Sequence, residues 1–147
     1  MSAFLPDLVI KNAEGSLGAV IEVKNLQNLS RDEAIALRHD LVDYGLPSQI
    51  PYFLLLSQDI GFLWKGQNNL DAPPLYEFPM DPVIKRYLKK NPERRLYGTE
   101  LELLVLQWLL NLTTKPQQDV EEPEKTLARS GFNDSIKGGA VLLKEAV

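Results

Sequence analysis

The chain has no cysteine and a single histidine, His39. Disulfides and thiolate metal centres are therefore excluded, and a zinc site has too few soft or imidazole ligands to form. A thiol-free chain fits a reducing compartment, so the expected location is cytoplasmic. Long apolar runs are also missing. The longest, Leu101 to Leu112, is broken by Glu102, Gln107 and Asn111, short of the roughly 20 residues that cross a bilayer. No basic-then-apolar leader opens the chain, and no membrane partner is expected. Serine-nucleophile elbows, Walker loops and paired-glycine dinucleotide fingerprints are absent. Gly138-Gly139 is too sparse to cradle a phosphate and reads as a turn. No internal repeat is evident. Excess positive charge is lacking too: a net charge of −4 and a pI near 5.0 argue against a strong non-specific nucleic-acid binder.

What is present suits one domain with its own core: 147 residues, 44% of them hydrophobic. The expected class is α/β or α+β, a mixed sheet flanked by helices. Residues 1–65 read as a β-rich core, 66–80 as a connector and 81–147 as a helical extension. Ser30-Arg31-Asp32-Glu33 is a capping box that opens a helix over Arg31 to Tyr44, with Ala34, Leu37, Leu41 and Tyr44 on one face and Gly45 as its stop. Tyr52 to Ser57 is an apolar run of the kind buried on both sheet faces, and Ile60 to Lys65 is a second strand. The prolines and asparagines of Gly66 to Pro79 describe an extended connector. Asp81-Pro82 starts a helix with Asp81 as N-cap. Thr99-Glu100-Leu101-Glu102 is a second capping box. It opens a helix whose stripe from Leu101 to Leu112 is widened by Leu103, Leu106 and Leu110 until it is apolar nearly all round. Thr113 to Pro123 is a polar linker, Glu124 to Arg129 a short helix ended by Ser130-Gly131, and Ala140 to Leu143 an apolar piece of unassigned type.

The chemistry is concentrated at the start. Pro6-Asp7 leads an apolar strand. The turn Ala13-Glu14-Gly15-Ser16 follows, and a second strand, Leu17 to Val23, ends in Glu22-Val23-Lys24. A hairpin folds Asp7 back towards Glu22, and strand alternation puts Glu22 and Lys24 on one face. Two carboxylates and an ammonium converging there can hold a hard divalent cation and activate a water. A hairpin with one solvated face shows the same alternation of charge without any function. Against that, Glu22 sits inside an apolar run, where an unpaired carboxylate carries a large desolvation cost.

These residues, Pro6, Asp7, Glu22 and Lys24, followed by the helix from Arg31 and the strand from Tyr52, resemble the PD-(D/E)xK nuclease superfamily. The likeness covers roughly the first 65 residues. It implies a restriction-endonuclease-like fold and a Mg²⁺- or Mn²⁺-dependent endonuclease, a hydrolase of DNA phosphodiester bonds. Asp7 and Glu22 would be the metal ligands, and Asp7, Glu22 and Lys24 the catalytic set. In that superfamily a helix, often carrying another acid, and a first strand precede the motif. Only Met1 to Leu5 precede Pro6 here, so the chain reads as a core trimmed at its N-terminus. The alternative is a catalytically inactive nuclease-fold module acting in nucleic-acid or protein binding.

Two further groups are candidates for nucleic-acid contact. Lys85, Arg86, Lys89, Lys90, Arg94 and Arg95 crowd together beside Tyr87 and Tyr97, which suits phosphates and stacked bases but equally suits a solvated helix face. Arg38 and His39 lie on the helix after the motif, within reach of a phosphate in a nuclease fold. An uncovered sheet edge and the all-round apolar helix both point to a homo-oligomer, most simply a two-fold dimer.

Overall fold

The computed structural model describes residues 5–47, 50–66, 69–88, 96, 99–114 and 121–144. One six-stranded mixed sheet organises the chain, in the order β5-β4-β3-β2-β1-β6. β1 (Leu8–Lys11) and β2 (Leu17–Val23) form an antiparallel hairpin. The turn is built locally: Asn12 Oδ1 accepts from the amides of Glu14 and Ser16, and Gly15 takes φ +87°, a value that side chains disfavour. Helix α1 (Arg31–Tyr44) then carries the chain back, so that β3 (Tyr52–Leu56) pairs parallel to β2, as a crossover helix requires. The capping box forms as the sequence predicts, with Ser30 and Glu33 exchanging hydrogen bonds of 3.0 and 3.1 Å. β4 (Ile60–Lys65) returns antiparallel to β3.

The stretch expected to be a connector contains a strand. β5 (Tyr76–Pro79) pairs with β4 at the sheet edge, where a proline without an N–H is tolerated. Helix α2 (Asp81–Tyr87) begins one residue differently from the expected cap. Buried Met80, not Asp81, flanks it, and its carbonyl accepts from Val83 and Ile84.

The stretch expected to be a helical extension contains helices α3 (Glu100–Thr114), α4 (Glu124–Ser130) and α5 (Phe132–Ile136). They cover one sheet face: Leu101, Val105, Trp108, Leu109, Leu127, Phe132 and Ile136 join Leu8, Ile21, Leu54 and Leu63 in a single core. The other face is covered by α1 and the loops around Leu46 and Ala72, packed on Val20, Phe53, Phe62 and Trp64. On α1, Tyr44 is exposed, and Arg38 is buried instead, its guanidinium 5.5 Å from the Trp64 ring centre. Among the described residues, no helix is long and apolar enough to cross a membrane.

The unassigned apolar piece is β6 (Ala140–Leu143), antiparallel to β1 in the register Leu8↔Leu143 to Lys11↔Ala140. The edge expected to be open beside β1 is therefore occupied by the chain's own later segment. Gly138-Gly139 makes the turn into it. A Cβ at Gly139 would lie 2.3 Å from the Lys11 carbonyl oxygen, so only glycine allows the close approach.

Candidate active site

The β1–β2 register pairs Leu8 with Ile21. Continued by one residue, it sets Asp7 opposite Glu22, and directly opposed residues share a sheet face. The two acids are laced reciprocally. The Asp7 amide donates to Glu22 Oε1 at 3.0 Å, and the Val23 amide donates to Asp7 Oδ2 at 2.8 Å. Lys24 follows on the same face, its ammonium 3.9 Å from Glu22 Oε2. Its own amide donates to the Leu56 carbonyl, which fixes it to the end of β3. The structure thus brings Asp7, Glu22 and Lys24 together at the carboxyl ends of the parallel pair β2 and β3, where open α/β sheets place ligands.

Burial and electrostatics separate Glu22 from a solvated hairpin face. Glu22 is only 6% exposed. Burial first, and then the neighbouring Asp7 charge, push its carboxyl from the ordinary 4.5 up to about 7. The Asp7 amide, Lys24 and Lys144 oppose that rise without cancelling it. A buried carboxylate beside a second one, with little cationic compensation, is the arrangement that a bound cation relieves.

Two residues complete the cluster that the sequence did not disclose. Lys144 Nζ donates to Asp7 Oδ1 at 2.8 Å and stands 3.3 Å from Glu102 Oε1. Glu102, read from the sequence as half of a capping box, is an acid on a helix beside the motif. The only signal was Glu102 itself, and its use depends on β6 pairing with β1.

Among the described residues, no cluster of three or more His, Cys, Asp or Glu gathers to hold a metal. The donor set on offer is the pair Asp7 and Glu22. It fits Mg²⁺ or Mn²⁺: both donors are hard oxygens, and Mg²⁺ is commonly held by one or two carboxylates while keeping several waters.

The other candidates are placed elsewhere. Arg38 lies under the loop beyond β4, where its Nη1 donates to the Asn69 carbonyl at 3.0 Å, and its burial is incompatible with contact to a phosphate. His39 bonds Asp71 through Nδ1 at 2.8 Å and faces Asp43 through Nε2 at 3.3 Å. The Asp71 hydrogen bond raises its pKa above 6.5. Arg86 is committed to Glu124, and Lys85 is exposed. Lys89, Lys90, Arg94 and Arg95 lie outside the described residues. No family model, curated protein or solved structure matches the chain.

Proposed function

We propose that the protein is a metal-dependent nuclease that hydrolyses phosphodiester bonds in DNA, with Asp7, Glu22 and Lys24 as its working residues. One observation carries this reading: Asp7 and Glu22 face each other across the hairpin, and Glu22 is buried with its pKa raised to about 7. A buried carboxyl perturbed by desolvation together with a specific neighbouring charge marks a candidate functional site. Mg²⁺ or Mn²⁺ bound there would polarise the phosphate and lower the pKa of a bound water.

The protein's own groups have distinct tasks. Asp7 and Glu22 each accept a backbone amide on one oxygen, at 2.8 and 3.0 Å, which leaves the other oxygen as the one a cation would take. The backbone amides orient both carboxylates before a cation arrives, so the group that has to move is the Lys144 ammonium on Asp7. Lys24 carries a mobile ammonium beside Glu22, suited to orienting the attacking water and to offsetting negative charge as the phosphate becomes five-coordinate. In a plasmid-nicking assay we expect cleavage that requires Mg²⁺ or Mn²⁺. Glu22→Ala or Lys24→Ala should reduce it by at least about a hundredfold. Equal background nicking by wild type and Lys24→Ala would end the catalytic reading.

In that event the inactive-module reading takes over. It is favoured by one specific observation, the ammonium of Lys144 already seated on Asp7. We also propose self-association, now through α3 rather than the β1 edge, because Leu103 and Leu110 are 57% and 44% exposed. Light scattering at micromolar concentration should show a species larger than the 16.6 kDa monomer, reduced to monomer by Leu103→Glu. A wild-type monomer would remove the proposal.

A further inference from the structure

Lys144 directly follows β6 and adopts φ +50°, the left-handed region that residues other than glycine rarely enter. Its amide donates to the Asp7 carbonyl at 3.2 Å. Its ammonium is fixed between Asp7 Oδ1 at 2.8 Å and Glu102 Oε1 at 3.3 Å. The other Asp7 oxygen, Oδ2, is committed to the Val23 amide. The oxygen that a metal ion would take from Asp7 is therefore the one that carries Lys144.

We propose that Lys144 is a tethered cation that competes with the divalent ion for Asp7 Oδ1, so that this one residue tunes the metal affinity of the site. This rests on the metal-dependent reading above and adds a control built into the chain. An ammonium and a divalent cation on one carboxylate oxygen repel each other at a few ångströms, so binding of the ion expels the ammonium. Expulsion needs no unfolding. The Lys144 side chain is already 55% exposed, its stem is flexible, and the β6–β1 ladder ends at Leu143. Glu102 offers the displaced ammonium a second anchor, which keeps it close enough to return when the ion leaves. Lys24 plays a different part, because its ammonium lies by Glu22 Oε2 rather than on the outward oxygen of Asp7.

Calorimetric titration of the full chain with MnCl₂ and, separately, CaCl₂ tests this without relying on activity. Lys144→Met should bind both ions about tenfold more tightly than wild type, the gain expected from deleting one charge at this range. Lys144→Gln should show the same gain, so that a folding defect in one variant does not decide the matter. Lys144→Arg should stay close to wild type, and Glu22→Gln should lose the heat that marks the site. If wild type binds and neither neutral variant binds more tightly, competition by Lys144 is overturned while the metal site stands. If neither wild type nor the neutral variants show heat that depends on Glu22, the metal reading and the competition fall together.

Discussion

Two carboxylates in this molecule are buried to the same degree, Glu22 and Glu124, each 6% exposed, yet their proton affinities are shifted in opposite directions. For both, burial is the largest influence and favours the neutral acid. At Glu124 it is outweighed. Arg86 grips both oxygens at 2.7 and 2.9 Å, Trp108 Nε1 donates at 3.0 Å, and the carboxyl is held below the usual range. At Glu22 the close neighbour is another acid, the compensation is one backbone amide, and the nearer lysine stands at 3.9 Å. Burial alone does not distinguish a structural charge from a functional one. What distinguishes them is whether the fold supplies the counter-charge. Glu124 is complete within the protein; Glu22 is provided with charge and left short of cation.

The contrast can be broken most forcefully at Glu124. Arg86→Met leaves a buried carboxylate with no cation, supported by the Trp108 indole N–H and its own backbone amide, and loss of one partner of a buried pair is strongly destabilising. Because Arg86 is partly exposed, the expected loss falls below that of a fully buried pair, at about 2–3 kcal/mol, read as a shift in the urea midpoint. An unchanged midpoint would mean that the Arg86–Glu124 pair does not hold α2 to α4.

At Glu22 the sign reverses and the effect is smaller. Its folded pKa of about 7 lies above the ordinary 4.5, so the folded chain keeps a proton that the unfolded chain has released. Stability therefore falls as pH rises from 4.5 to 7. Glu22→Gln removes the charge and should stabilise the metal-free protein by about 1–2 kcal/mol at pH 8, with the gain vanishing near pH 4.5. Denaturation at the two pH values checks this. A variant no more stable than wild type at pH 8 would place Glu22 with Glu124 among the structural acids.

Legibility in the sequence followed the range of the interactions. Helix α1 and its capping box could be read because Ser30, Glu33 and Gly45 act within a turn of the residues they serve. The approach of Asp7 to Glu22 was visible for the same reason, a hairpin closed by Asn12 and Gly15. β5 was concealed by Pro79, which a short edge strand accepts, and by Pro73 and Pro74 just before it, so the stretch read as connector. Arg38 looked like a surface cation because helix periodicity does not reveal that a tryptophan on β4 will lie beside it. Glu102 and Lys144 were the hardest to see. Neither has a local reason to be near Asp7, and both reach it only after α3 has packed on the sheet and β6 has joined β1.

Lys144 and Asp7 stand 137 positions apart in the chain, and that separation orders events in time. A hairpin such as β1–β2 closes in about 1–10 μs. The entropy of closing a loop rises with its length, so contacts of long sequence separation are gained late in folding. A short, partly exposed strand such as β6 adds little to the nucleus that precedes it. The acid pair is therefore expected to form before its lysine arrives, while the β1 edge is still unpaired and open to other chains. On that order β6 is expected to be the last strand seated, which ends both exposures in one step.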